Sequence, residues 1–200
     1  MKVAFNISPI RTGHKTRGIG FYTKNLLEEL KKRSDIQIQE FTDLGEVKDA
    51  EVVHYPYFEL FNRTLPLSKK FPTVVTIHDV IPLLFPKAYP PGIKGLVNLF
   101  WQKMALKNIA AVITDSENSK KDVNKFLGVE IKKVFSIPLA PSSHFKKIQN
   151  KDLFNKIKQK YSLPDTFALY VGDVNWNKNL LNIAQACQDI GVDLVLMGKG

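Results

Sequence analysis

A single cysteine, Cys187, is present in a chain of 200 residues. One cysteine cannot form a disulfide within the chain, and such scarcity is typical of proteins that work in a reducing compartment. The segment KVAFNIS after Met1 is too short for the apolar core of a signal peptide, and no later run reaches the uncharged length of a membrane span. We therefore expect a cytoplasmic protein without a transmembrane segment.

The sequence also lacks internal repeats, a helix-turn-helix pattern and the aromatic residues that nucleic-acid-binding surfaces interleave with lysines. Nucleic acid is therefore not a favoured partner, although the formal net charge is +10. Much of the excess charge lies in and just before one predicted helix, where we expect a solvated face formed by Lys146, Lys147, Lys151, Lys156, Lys158 and Lys160. Phosphate groups and anionic lipid are the alternative partners of a basic surface.

Short apolar runs alternate with longer amphipathic segments along the chain, and 44% of its residues are hydrophobic. This alternation is typical of βαβ units and predicts an α/β fold with a Rossmann-like parallel sheet. The predicted strands are residues 3–8, 36–41, 51–55, 73–77, 110–114 and 133–137. The predicted helices are residues 19–32, 92–108 and 117–127, of which the last is capped by Ser116 and ended by Gly128.

The pattern changes after Pro138, where a turn-rich segment leads into a lysine-rich helix at residues 151–161. We predict a first domain at residues 1–145, a linker with a connecting helix at 146–165, and the start of a second domain at 166–200. The second part is typical of one βαβ unit, with strands at 167–172 and 192–197 around a helix at 178–190. Because a doubly wound domain needs roughly 100 residues, we expect this βαβ piece to be incomplete and the sequence to continue beyond Gly200.

A histidine and an aspartate, His78 and Asp79, directly follow the apolar run of the fourth predicted strand. Open α/β sheets bind ligands at the carboxyl ends of their strands, so His78 is a candidate for chemistry. A hydrogen-bonded structural histidine is the alternative. We expect three more polar turns at the same edge of the sheet, namely those at Gly18 and Gly20, after His54, and at Ser116.

Gly18 and Gly20 lie where a long loop enters a predicted helix. Glycine lets a ligand approach the backbone closely, and the amides of a helix start attract anionic groups, so a phosphate or a sugar can bind there. A dinucleotide fingerprint is the competing interpretation, since Glu40 lies at about the distance expected of a ribose contact. Thr23, however, replaces the third glycine of that fingerprint, and the loop is longer than the motif requires. A dehydrogenase is therefore not favoured.

Six segments together resemble the retaining nucleotide-sugar glycosyltransferases of family four, in particular their mannosyltransferase-like members. The segments are RGIGFYTKNL, VVHYPYF, TIHDVIPLLFP, ITDSENSKKDV, IPLAPSSHF and YVGDVNWNKNL, and they span nearly the whole chain. The resemblance implies the two-domain GT-B fold, with residues 1–145 as the acceptor-side domain and residues 166–200 as the start of the nucleotide-sugar-binding domain. It also implies an active site in the cleft between the two.

The activity that the resemblance implies is transfer of a hexose, such as mannose, from a nucleotide-sugar donor to a glycan or lipid-linked acceptor with retention of configuration, in polysaccharide or glycoconjugate assembly. His78 matches the family histidine beside the transferred sugar. Gly18 and Gly20 match the loop that closes on donor phosphate and acceptor, and Lys178 matches a lysine that neutralises the donor diphosphate. For Lys178, a solvated lysine at the start of a helix is the alternative. Neither a metal ion nor another cofactor is expected.

The mechanism that the resemblance suggests needs no protein base, because a departing phosphate oxygen accepts the proton of the acceptor. His78 would then position and polarise, while Asp79 fixes its turn rather than acting as a nucleophile. Asp173 is a departure, since the family often has an arginine there that faces the diphosphate. The paired glutamates that hold nucleotide ribose and sugar in the family are absent from these residues, so we expect the chain alone to be inactive.

One predicted helix combines large apolar residues with lysines in the segment GIKGLVNLFWQKMALKN. A basic amphipathic helix can lie on anionic lipid, although most apolar stripes are core faces. Peripheral association with the inner face of a membrane is therefore the alternative to a purely cytoplasmic location. The rival to an enzyme is a noncatalytic α/β module that binds an anionic partner through its basic surface.

Overall fold

The computed structural model describes residues 1–142, 145–147 and 149–198. The chain divides into two compact units, unit 1 at Met1–Ala140 and unit 2 at Pro141–Gly200. The division falls within the turn-rich segment that follows Pro138. Two residues of the segment IPLAPSSHF, Ser143 and His144, lie outside the described ranges, as does Gly200.

Unit 1 contains a six-stranded parallel sheet, which confirms the predicted Rossmann-like α/β fold. Its strands are β1 (Lys2–Asn6), β2 (Gln37–Phe41), β3 (Val52–Tyr55), β4 (Thr73–Thr76), β5 (Ala111–Thr114) and β6 (Val134–Ser136). Their order in the sheet is β2-β1-β3-β4-β5-β6, and all neighbouring pairs are parallel. The carboxyl ends of β3, β4 and β5 therefore lie side by side at one edge.

Two short helices follow strands where the sequence predicted extended chain or a loop. Helix α1 (Ser8–Arg11) begins where the first predicted strand was expected to end, and helix α3 (Ile81–Leu84) follows the turn after β4. Each has a proline, Pro9 or Pro82, in its first turn, where the missing amide hydrogen costs no intrahelical bond. The first predicted strand was therefore too long at its carboxyl end.

The longer predicted helices are present with small changes at their ends. They are α2 (Gly18–Lys31), α4 (Gly92–Leu106) and α5 (Glu117–Asp122), and α5 continues as a π-helical turn at Val123–Leu127. The predicted cap of α5 is confirmed, because Ser116 Oγ accepts a hydrogen bond from the Ser119 amide at 3.1 Å. Gly128 ends the helical segment in the left-handed region with φ 72°, as predicted.

The core of unit 1 covers both faces of the sheet. Val53, Val75, Val112 and Val134, one from each of four neighbouring strands, belong to the larger cluster and are at most 1% exposed. Phe5, whose neighbour Ala4 points to that larger cluster, packs instead with Leu27 of α2 on the opposite face. Each such buried side chain stabilises the fold by about 1.5–3 kcal/mol relative to exposure, which fixes the strands that carry the site.

Unit 2 contains helix α6 (Lys151–Lys160) and one βαβ unit formed by β7 (Phe167–Val171), α7 (Leu180–Asp189) and β8 (Asp193–Met197). Strands β7 and β8 are parallel. The predicted helix at 178–190 begins two residues late, because Asn179 adopts a left-handed conformation (φ 53°) and Lys178 belongs to a preceding 3₁₀ turn. Among the described residues of the chain, no helix is long and apolar enough to cross a membrane.

Candidate active site

His78 lies two residues beyond β4, at the carboxyl end of the sheet, and only 18% of its side chain is exposed. Its Nδ1 atom lies 2.7 Å from Oδ2 of Asp115, which directly follows the neighbouring strand β5. An ionised carboxylate only accepts hydrogen bonds, so Nδ1 carries the hydrogen and donates it to Asp115. In the neutral ring, Nε2 is then the hydrogen-bond acceptor.

The ring and the backbone of His78 are held by two further contacts. The ring of Tyr22, from α2, meets the imidazole edge to face, with centroids 4.7 Å apart and planes at 89°. Ser119 of α5 donates its hydroxyl hydrogen to the His78 carbonyl oxygen at 2.9 Å. Side chains from α2, from the residue after β5 and from α5 therefore fix one imidazole in one orientation.

Two polar atoms of this pair have no hydrogen-bond partner within the described part of the chain. They are Nε2 of His78 and Oδ1 of Asp115, and both are shielded from solvent. Leaving a buried polar atom unpaired costs about 1–3 kcal/mol. Native proteins keep few such atoms, and a functional role is one of the reasons for keeping them. Nε2 is thus an unpaired hydrogen-bond acceptor of this site, and a ligand hydroxyl would reach it once the side chains that shield it move apart.

A series of buried hydrogen bonds holds the Tyr22 hydroxyl. The Tyr22 hydroxyl lies 3.2 Å from Thr76 Oγ1, and the same oxygen lies 3.0 Å from Nε2 of His54. Burial lowers the pKa of His54 to about 4, so this ring is neutral at neutral pH. Burial is also the main cause that raises the pKa of Tyr22, which keeps its hydroxyl protonated. The predicted turn at Ser116 therefore lies beside His78 through Ser119, whereas His54 lies within β3 and connects to His78 only through Thr76 and Tyr22.

Gly18 and Gly20 have different surroundings at the start of α2. A Cβ atom on Gly20 would lie 2.2 Å from the His14 carbonyl oxygen, so the preceding loop requires glycine at this position. A Cβ atom on Gly18 would meet nothing within 4 Å. The close backbone approach at Gly20 is thus to the chain itself, whereas Gly18 leaves room at the first turn of the helix that carries Tyr22.

A second pair of a histidine and a carboxylate, His14 and Glu59, fixes the loop before α2. Nε2 of His14 lies 2.7 Å from Oε1 of Glu59, and Asn62 donates to the other carboxylate oxygen at 2.6 Å. His14 also lies against the ring of Tyr57, with centroids 5.7 Å apart. This pair anchors the loop that closely packs against Gly20.

Lys178, the predicted diphosphate contact, belongs to unit 2 and is exposed. It ends the 3₁₀ turn Trp176–Lys178, just before α7. Asp173 lies shortly after β7, and its carbonyl oxygen accepts the hydroxyl hydrogen of Tyr170 at 2.8 Å. The backbones of Gly172 and Gly198 touch here, since a Cβ atom on Gly198 would lie 1.8 Å from the Gly172 carbonyl oxygen.

Sequence reasoning missed Asp115, Tyr22 and Thr76 as parts of the site. Asp115 carried the same signal as His78, a polar residue directly after an apolar strand, and it stands within the segment ITDSENSKKDV. Tyr22 and Thr76 carried no local signal, because their roles depend on how α2 packs on β4. Among the residues that the structure describes, no group of three or more histidines, cysteines or carboxylates could hold a metal ion.

A concavity with a volume of about 500 Å³ lies along β5 and β6. Its lining combines sheet residues with two charged side chains of α5, and consists of Val74, Ala111, Ile113, Glu117, Lys120, Phe135, Ser136 and Ile137. His78 and Asp115 do not line it. The imidazole and this concavity are therefore separate features of unit 1.

No protein-family model matches the chain, and a search of the curated proteins also found no match. The class that the fold defines is that of α/β proteins with a Rossmann-like parallel sheet. The resemblance to glycosyltransferases stays a prediction, and the residues around His78 are the structural features that bear on function.

Proposed function

We propose that this chain is the acceptor-side part, with the start of the donor-side part, of a retaining GT-B glycosyltransferase. The enzyme would transfer a hexose, such as mannose, from a nucleotide sugar to a glycan or lipid-linked acceptor in polysaccharide or glycoconjugate assembly. The observation that carries the proposal is His78, which Asp115 and Tyr22 orient at the carboxyl end of the sheet while its Nε2 atom has no protein partner among the described residues.

In this proposal, Nε2 of His78 accepts a hydrogen bond from a hydroxyl of the transferred hexose. The bond between the anomeric carbon and the donor phosphate breaks, and a bond to the acceptor oxygen forms on the same face of the sugar. The departing phosphate oxygen takes the proton of the acceptor hydroxyl, so that proton and charge balance without a protein base. His78 then acts by orienting the sugar, which is a contribution of proximity and alignment.

The anionic donor would be held by backbone amides and by Lys178. The first helical bond of α2 runs from the Phe21 amide to the Arg17 carbonyl oxygen at 3.1 Å, so the amides of Gly18, Ile19 and Gly20 precede the helical ladder. Such amides favour phosphate oxygens, and a lysine neutralises the charge that develops on the leaving diphosphate. No metal ion is assigned a role.

The rival proposal is a noncatalytic module that binds an anionic partner, and the net charge of +10 favours it. The two proposals differ in what they require of His78. A binding module would lose affinity when scattered lysines are replaced, whereas a glycosyltransferase would lose turnover when the single imidazole is removed.

The test is a turnover assay with the complete product of the source gene, a panel of nucleotide sugars and a glycan acceptor, in which release of nucleoside diphosphate is measured. We expect transfer with at least one donor, and a loss of roughly 100-fold in kcat for His78→Ala and for Lys178→Ala. Lys151→Ala is the matched control, since Lys151 is also an exposed lysine at a helix start in unit 2. Unchanged turnover in both test variants would contradict the site assignment.

A further inference from the structure

On helix α4 (Gly92–Leu106), the amide side chains of Asn98 and Gln102 are buried beside Ala105 and Leu106, while most of the large apolar side chains are exposed. A surface helix of a globular protein normally shows the opposite arrangement, with the apolar stripe against the core. Both the buried amides on one face of α4 and the exposed apolar side chains on the other therefore need a physical explanation.

The buried face of α4 satisfies its polar groups by hydrogen bonds to the segment that follows β3. Asn98 donates to the carbonyl oxygen of Phe61 at 2.9 Å, and Gln102 donates to that of Glu59 at 2.9 Å. The Gln102 side-chain oxygen accepts from the Leu65 amide at 3.2 Å. Gln102 is only 1% exposed. These bonds fix the rotation of the helix about its axis, so its outward face is set by the fold.

The outward face, called the docking face below, consists of large apolar side chains. They are Ile93 (84% exposed), Leu96 (55%), Val97 (48%), Phe100 (59%), Trp101 (37%) and Met104 (38%). With 3.6 residues per turn, these positions cover an arc of roughly 140° along the whole helix. A contiguous apolar surface of this kind marks an interaction site rather than scattered exposure.

Lysines border the docking face on both sides. Lys94 lies at the edge beside Trp101, and Lys103 lies at the opposite edge, about 180° away around the helix axis. No acidic residue occurs between Asp79 and Asp115, a stretch that contains Lys87, Lys94, Lys103 and Lys107. The charged residues of α4 itself are thus positive only.

The geometry points to α4 as an interfacial helix that docks on the surface of an anionic lipid bilayer. Apolar side chains would enter the boundary between headgroups and acyl chains, while the bordering lysines reach anionic headgroups. Trp101 at the edge of the face suits the interfacial depth, where its ring is apolar and its N–H is wet. Fifteen residues are too few to span the hydrocarbon core, so the helix would lie in the plane of the membrane.

Charge favours lipid over a second copy of the chain as the occupant. Two copies that met through this face would bring the lysine borders of α4 close to each other with no carboxylate on α4 to compensate. Like charges at an interface are unfavourable. An anionic bilayer instead supplies the opposite charge along the whole border.

The test uses the purified chain with vesicles of phosphatidylcholine, with or without phosphatidylglycerol. We expect sedimentation with the anionic vesicles, weakened by added salt, and a loss of about tenfold in binding for Ile93→Ser. Leu181→Ser in α7 is the matched control, because Leu181 is 87% exposed and Ile93 is 84% exposed. Binding that is equally weakened by the two changes, or that Ile93→Ser leaves intact, would overturn the proposal.

Tryptophan fluorescence gives a second readout that does not depend on that variant. The chain has two tryptophans, so Trp176→Phe leaves Trp101 as the single reporter. We expect a blue shift of Trp101 emission on addition of anionic vesicles and none with phosphatidylcholine alone. No shift with either vesicle would overturn the proposal, and so would self-association that shields Trp101 without lipid.

Discussion

His78 and Asp115 follow neighbouring strands, and their side chains meet at 2.7 Å where β4 and β5 end. Parallel strands bring their carboxyl ends to one edge, so two residues 37 positions apart become partners. Tyr22 closes the other side of the imidazole and is itself tied through Thr76 to His54. The candidate site is thus one imidazole ring, held in a single orientation by Asp115 and Tyr22 and by the buried hydrogen bonds of Thr76 and His54.

Asp115 is proposed as a positioning residue for His78, and Asp115→Asn tests this role. An amide can donate as well as accept, so it would no longer specify the tautomer with hydrogen on Nδ1. We expect a fold that is retained and a kcat lowered by about 100-fold. The second measurement is the ¹⁵N NMR spectrum of the His78 ring. This spectrum changes if Asp115 sets the tautomer, and it stays the same if Asp115 has only a structural role.

In the wild type, that spectrum should show hydrogen on Nδ1, and in Asp115→Asn it should show a mixture of tautomers. Asp79→Asn is the control, because Asp79 accepts the Ile81 amide at 3.0 Å and asparagine can accept the same bond. A wild-type spectrum with hydrogen on Nε2 would contradict the assigned geometry.

His54 makes the stability of unit 1 dependent on pH. Its pKa is about 4 in the fold and about 6.5 when exposed, so the unfolded chain binds the proton more readily between these values. Stability is therefore complete above pH 6.5 and falls as pH decreases toward 4, by about 3 kcal/mol.

Urea unfolding of the wild type and of His54→Gln at several pH values isolates this contribution, since the carboxylates are common to both proteins. We expect the difference in unfolding free energy between them to shrink as pH falls from 6.5 to 4. Parallel curves over this range would show that burial does not lower the pKa of His54.

At the scale of elements, α2 connects the loop before it to the site. Its first turn holds Gly18 and Gly20, and Tyr22 lies on the next turn against His78. The preceding loop is anchored by His14 and Glu59. The fit between this loop and α2 therefore sets where the Tyr22 ring lies.

The two glycines of α2 offer a matched pair of substitutions. Gly20→Ala places a Cβ atom 2.2 Å from the His14 carbonyl oxygen, and we expect it to lower the free energy of unfolding by about 2 kcal/mol. Gly18→Ala meets no atom within 4 Å, and we expect it to raise stability by up to about 1 kcal/mol. Urea denaturation of both variants measures the contrast.

The same pair separates a structural glycine from a functional one. If the first turn of α2 approaches the donor phosphate, Gly18→Ala lowers activity while the fold stays intact. Equal stability losses for the two variants would contradict the packing described for the loop.

The sheet of the molecule could be predicted because most of its strands are short apolar runs that follow a turn. The runs at Val74–Val75 and at Val112–Ile113 left few alternatives to buried parallel strands. Helices α1 and α3 were missed because four-residue helices have no periodicity to detect. The contact of Tyr22 with His78 depends on packing between distant segments, which no local pattern contains.

The outward face of α4 also could not be predicted from a local sequence pattern. Periodicity predicts an apolar stripe but does not say which side of the helix faces the core. The answer depends on Asn98 and Gln102, whose partners Phe61, Glu59 and Leu65 lie 37 to 43 positions earlier. These two buried amides, together with Ala105 and Leu106 in the core, hold the helix with the stripe exposed.

The proposed role of His78 and Lys178 is to serve the transfer of a hexose with retention of configuration. The most direct measurement is ¹H NMR of the transfer reaction of the complete gene product, which reports the anomeric configuration of donor and product. We predict the same configuration in both, and no transfer by a folded His78→Ala, Lys178→Ala double variant. An inverted product, or transfer that continues in the double variant, would contradict the account.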